Sequence, residues 1–146
     1  MRDIKYIVIH CTGGNPKQSV QSILDGWRSK GWKSNGYHVI IDQHGIATRL
    51  MDDDLIGNGV AGHNSKSVHL CYIGGLLKGK TADTRTEEQK EALLVQVLEY
   101  RAKYPKAKIV GHRDLSPDLN GDGIIEPKEW VKVCPCFDAK EEFKNI

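Results

Sequence analysis

Residues 4–12 read IKYIVIHCT, a run dominated by β-branched and apolar side chains, and GGNP ends it at once. A strand apolar on both sides must be covered on both faces, as strands in parallel and mixed sheets are. The chain therefore needs further strands beside this one and helices above and below it. His10 stands at its C-terminal end.

The remaining segments can supply those layers. Val20, Ile23, Leu24 and Trp27 fall at helical spacing and Gly31 follows as a stop, which predicts an amphipathic helix over about 18–30. GYHVIIDQHGIATRL, residues 36–50, reads as two strands joined in a hairpin around DQHG. GNGVAGHNSKS is a polar, glycine-rich loop, and VHLCYIGG after it is another apolar strand. Thr86 and Gln89 have the spacing of a capping box, with Leu93, Leu94, Val97, Leu98 and Arg101 continuing a helical face until Pro105 stops it. AKIVGH is a last short strand that carries His112 at its end, and a short helix is expected around DAKEEFKN. The expected fold is α/β, one domain over residues 1–146, with a central mixed β-sheet flanked by α-helices.

Composition narrows the function classes. The longest apolar runs are strand-sized, so no membrane insertion is expected. The opening MRDIKYIVIHC has no apolar region of signal-peptide length, which points to synthesis in the cytoplasm without signal-peptide export. A net charge of +2, with Asp and Glu interspersed among Lys and Arg, argues for no nucleic-acid partner. Four cysteines without a secretion signal read as reduced thiols rather than disulfides. Nothing asks for an oligomer, and a monomer is expected.

His10 and His112 each close a predicted strand, and residues at such strand ends converge on a shared crevice. Cys134 is placed to join them. Two imidazoles and a thiolate suit zinc, and three protein ligands leave a fourth position open, as catalytic zinc sites do. Each residue taken singly is more often a hydrogen-bonded core or surface group than a ligand, and spacing alone does not overturn that reading.

IVIHCT, GYHVIID, AGHN, GHRDLSPD and KVCPCFD, in that order, resemble the zinc-dependent N-acetylmuramoyl-L-alanine amidases, the family that includes phage lysozyme-type amidases and peptidoglycan recognition proteins. The resemblance covers almost the whole chain. It implies an amidase/peptidoglycan recognition protein-like fold, with zinc on His10, His112 and Cys134 and with Tyr37 and Lys132 as catalytic partners. His63 and Asn64 would line the substrate groove. The implied substrate is peptidoglycan or a muropeptide, and the implied reaction is hydrolysis of the amide between N-acetylmuramic acid and L-alanine. A role in cell-wall lysis follows, a prophage endolysin being one form of it. Cys134 is favoured over Cys136 because the family pattern places the ligand directly before Pro135. Strand alternation argues that His10 and Cys11 cannot both reach one ion, and that only one of Tyr37 and His38 faces the crevice. His44 and His69 read as structural or exposed, and Asp114 as a group that could orient His112.

DLNGDGIIEPKE, residues 118–129, meets a second pattern. Asp118, Asn120, Asp122 and Glu129 occupy positions one, three, five and twelve of a calcium loop, with Gly123 at six. Ser116 and Pro117 interrupt any entering helix, so the loop reads as an insertion between His112 and Cys134, either a calcium site or an acidic turn. Two rivals to the enzyme remain, a non-catalytic peptidoglycan-binding module and a calcium-binding interaction protein.

Overall fold

The computed structural model describes residues 2–146. The strands are β1 (Tyr6–Cys11), β2 (Val39–Ile41), β3 (Ala47–Arg49), β4 (Ser67–Tyr72), β5 (Leu76–Leu77), β6 (Lys80–Thr81) and β7 (Lys108–Gly111), and the helices are α1 (Val20–Ser29), α2 (Glu87–Lys103) and α3 (Ala139–Glu142). Five strands form one sheet in the order β3-β2-β4-β1-β7. β1 runs parallel to β4 and β7, β2 runs parallel to β4, and β3 pairs antiparallel with β2. The mixed sheet flanked by helices is as expected.

β1 lies inside the sheet and is buried from Ile7 to Cys11, which accounts for its apolar composition on both faces. On one face Ile7, Ile9, Val68, Leu70 and Ile109 pack against Leu93, Val97 and Tyr100 of α2 and against Ala139 and Phe143. On the other, Ile40 and Cys71 lie beneath Ile23 and Trp27 of α1, and Val8 meets Val60 and Val110. Each fully buried Ile or Leu in these layers contributes ~1.5 to 3 kcal/mol relative to exposure, so apolar packing holds the sheet together. All four cysteines are free thiols.

Local chemistry sets the helix ends. The Ser19 hydroxyl accepts the backbone N–H of Ser22 at 3.1 Å, so α1 starts at Val20 rather than at 18. Thr86 and Gln89 form the expected capping box, and the Gln89 amide also donates to the carbonyls of Ile41 and Ile73, tying α2 to the sheet edge. The β5–β6 hairpin was not expected from the sequence. Lys78 and Gly79 form its turn with φ of +50° and +77°, the positive pair that two-residue hairpins favour.

The C-terminal tail is anchored by a buried cation. Arg85 donates to Asp83 at 2.9 Å and to Glu142 at 2.7 Å, and its guanidinium lies 3.4 Å from the centre of the Phe137 ring. This holds the segment that carries Cys134 and Cys136 against the sheet. Among the described residues no helix is long and apolar enough to cross a membrane.

Candidate metal centre and cleft

Because β1 and β7 are neighbouring parallel strands, their C-terminal ends reach the same edge of the sheet. His10 is the penultimate residue of β1, His112 opens the 3-10 turn directly after β7, and their ring centres stand 5.0 Å apart. Cys134 arrives from the tail, its Sγ 3.9 Å from His10 Nδ1. One donor atom from each of the three lies within 4.8 Å of the other two.

Several contacts fix Cys134 there. The Arg113 N–H donates to the Cys134 carbonyl at 3.0 Å, and the Tyr72 hydroxyl donates to the Pro135 carbonyl at 2.7 Å. A Cβ on Gly111 would come within 2.7 Å of Pro135 Cδ, so glycine at 111 lets the tail approach the strand.

The donor set fits zinc chemically. Burial lowers the pKa of His10 well below its ordinary value, and burial with the nearby Lys132 ammonium lowers that of His112 to about 4. Both imidazoles are therefore neutral at neutral pH and offer lone pairs. The Cys11 backbone N–H donates to Cys134 Sγ at 3.2 Å and so orients the sulfur. Zinc bonds of ~2.0 to 2.3 Å require this kind of clustering.

Of the other thiols, Cys11 borders the cluster, its sulfur within hydrogen-bonding reach of Cys134 as well as of Cys136. Cys11 Sγ and Cys136 Sγ face each other at 3.8 Å, and burial pushes the Cys136 thiol up to about 12. Cys71 is buried beneath α1.

A cleft of about 390 Å³ opens over the cluster, lined by His112, Cys134, Tyr37 and Lys132 among others. Tyr37 lies 4.9 Å from the His10 ring and 5.5 Å from Trp27, which in turn stacks on Trp32 at 6.0 Å. A Cβ on Gly36 would sit 3.0 Å from Trp27, so the glycine before Tyr37 admits this packing. Burial raises the Tyr37 pKa, so its phenol stays protonated and can donate. His38 faces away from this cleft, with its Nε2 2.8 Å from the Leu55 carbonyl.

His63 lines an adjoining cleft of about 650 Å³ that has His112 in its wall as well. Asn64 uses its side-chain oxygen inside its own loop, accepting the N–H groups of Gly59 at 3.0 Å and Val60 at 2.8 Å. Asp114 closes its turn on the Gly111 N–H at 2.7 Å, where an interaction with His112 was expected. His44 is exposed, and His69 is fully buried beside His10.

In the acidic loop, oxygens of Asp118, Asp122 and Glu129 lie within 4.8 Å of one another. They also accept backbone N–H groups: Asp118 from Gly121 and Gly123, Asp122 from Ile124, and buried Glu129 from Leu119 and Glu126. Asn120 accepts from the Asp122 N–H at 3.1 Å.

The N-acetylmuramoyl-L-alanine amidase family pattern matches residues 1–130. The chain belongs to that family. The endolysin of Enterobacteria phage K11 is 34% identical over 140 residues, 94% of this chain and 83% of the phage protein. In fold, the chain is similar to N-acetylmuramoyl-L-alanine amidase LysC from Clostridium intestinale URNW, with a TM-score of 0.72 and 20% identity over 97% of this chain and 82% of that one. It is likewise similar to PGRP-SA of Apis mellifera, with a TM-score of 0.71 and 16% identity over 99% of this chain and 84% of that one.

Trp32, Asn58 and Thr81 also line the cleft of this amidase-family chain, though no sequence motif pointed to them. Thr81 had no signal, since it reaches the cleft on the unexpected β5–β6 hairpin.

Proposed function

We propose that the chain hydrolyses peptidoglycan at the amide between N-acetylmuramic acid and L-alanine, with zinc held by His10, His112 and Cys134. The observation that carries this reading is the convergence of the three donors beneath a cleft that also exposes Tyr37 and Lys132. Zinc in that position supplies the Lewis acidity that an amide carbonyl and a water nucleophile both need near pH 7.

The chain's own groups do the rest. The protonated Tyr37 hydroxyl would orient the attacking water and relay a proton, taking the water's while giving its own to the departing L-alanine nitrogen. Lys132, exposed at the cleft wall, donates from its ammonium to the carbonyl oxygen as negative charge gathers there. The Cys11 N–H steadies the Cys134 sulfur. His63 binds substrate in the adjoining cleft, and Asn64 acts through the loop it closes. A binding module without hydrolysis would not need the complete donor set that is present. Action on the cell wall would follow release of the protein from the cell that makes it.

Digestion of purified peptidoglycan tests the reading. New L-alanine amino termini and intact lactyl groups, seen by mass spectrometry and abolished by a chelator, are expected. Binding without new termini would instead make the chain a recognition module.

We assign the acidic loop a separate, structural part, with calcium as its candidate ion on Asp118, Asn120, Asp122 and Glu129. Calcium at a hundredfold excess over its dissociation constant is expected to stabilise the native state by ~2.7 kcal/mol. For a chain of this size that is ~5 to 10 °C in Tm. Glu129→Gln should remove the increment and leave zinc content intact. A Tm indifferent to millimolar calcium would reduce the loop to a turn closed by its own backbone bonds.

A further inference from the structure

Two buried histidines, His38 and His69, take no part in the chemistry above. His38 is accounted for by the backbone. Its Nδ1 accepts the His69 N–H at 3.0 Å, so its proton sits on Nε2 and is donated to the Leu55 carbonyl at 2.8 Å. His69 is different. Its Nδ1 lies 2.9 Å from His10 Nε2, while its own Nε2 is buried with no hydrogen-bond partner among the described residues. A buried polar atom left unpaired is rare and calls for a reason.

The parallel register explains how the two rings meet. Val8 pairs with His69 and His10 with Cys71, so His69 stands diagonally beside His10 on the same face of the sheet. The rings are 5.0 Å apart between centres. Space for the His69 ring comes from the loop above it. A Cβ on Gly59 would lie 2.5 Å from His69 Nδ1 and 2.7 Å from Cε1, and one on Gly57 would lie 3.1 Å from Cδ2. Gly59 is not among the glycines with positive φ, so its backbone does not demand glycine, whereas the adjacent ring does. The two N–H bonds to the Asn64 oxygen hold this stretch of loop in place.

Hydrogen-bond direction decides what the pair can do. For His10 to offer Nδ1 to a metal beside Cys134, its proton must reside on Nε2, which then donates to His69 Nδ1. That forces the His69 proton onto Nε2, the atom the structure leaves unpaired.

We propose that His69 is a positioning residue for the zinc centre, accepting the Nε2–H of His10 so that Nδ1 faces Cys134 and His112, with Gly59 kept small to admit the ring. The inference rests on the reading of His10 as a zinc ligand. Partners of this kind behind a metal-bound imidazole typically change metal affinity 10- to 100-fold when lost.

Zinc affinity, measured by chelator competition on the full chain, tests it. His69→Ala and Gly59→Ala should each weaken zinc binding by ~10 to 100-fold. In the double variant, Gly59→Ala should add nothing, because the ring it displaces is gone. His69→Asn, which returns an acceptor near the Nδ1 position, should recover most of the affinity. A merely structural ring would show no such rescue. Nitrogen chemical shifts of the zinc-loaded wild type should place protons on Nε2 of both His10 and His69, a readout that needs no variant to fold. A proton on His69 Nδ1, or wild-type affinity in His69→Ala, would overturn the inference while leaving the zinc centre standing. A wild type that takes up no zinc would remove both.

Discussion

Cys134→Ser is expected to strip the protein of zinc, lowering affinity by at least ~100-fold, beyond the upper end of the loss seen for partners that only orient a ligand. A serine hydroxyl does not ionise near neutral pH and is a harder donor than thiolate, so the site keeps two imidazoles and no anion. Cys136→Ser is the control. Its sulfur faces Cys11 at 3.8 Å and burial holds its thiol up at about 12, so it neither points at His10 nor ionises readily. That variant should keep most of its zinc. Metal content per chain after dialysis separates the two, and the reverse outcome would assign the thiolate to Cys136.

Lys132→Ala should lower kcat by ~100 to 1,000-fold, the range for loss of one oxyanion donor. KM should hardly move, because the amide carbonyl is neutral in the ground state and the ammonium gains its partner only as charge develops. Zinc content should also be retained, since Lys132 lies on the cleft wall and contributes no atom to the donor cluster. Steady-state kinetics on a soluble muropeptide make the distinction. Unchanged turnover with raised KM would make Lys132 a substrate-binding residue.

Much of the frame was legible in the sequence because it depends on neighbours within a few residues. The apolar run of β1 required cover on both faces, and the sheet and helices provide it. The capping box at Thr86 and Gln89 appears where its spacing placed it. His10 and His112 were readable as strand-end residues, and the ordered motifs carried the family resemblance that the family pattern then established.

Other features were not read from the sequence. Asp114 was placed near His112, whereas its carboxylate accepts the Gly111 N–H three residues back, a short-range capping contact. Glu129 was readable as a carboxylate at position twelve, but not as a buried acceptor for the N–H groups of Leu119 and Glu126. His69 looked like any histidine on a strand.

The sequence by itself determined the five strands of the main sheet, the two long helices and the type of donor available at each strand end, since dihedral preference, capping and periodicity act over a few residues. Only the tertiary structure decided which donors meet. The parallel register of β1 and β4 set His69 against His10, the adjacency of β1 and β7 brought His10 to His112, and glycine at 59 and 111 allowed the ring and the tail to close in. Those outcomes depend on packing between segments far apart in the chain, where excluded volume and burial choose among pairings that local preference leaves equal.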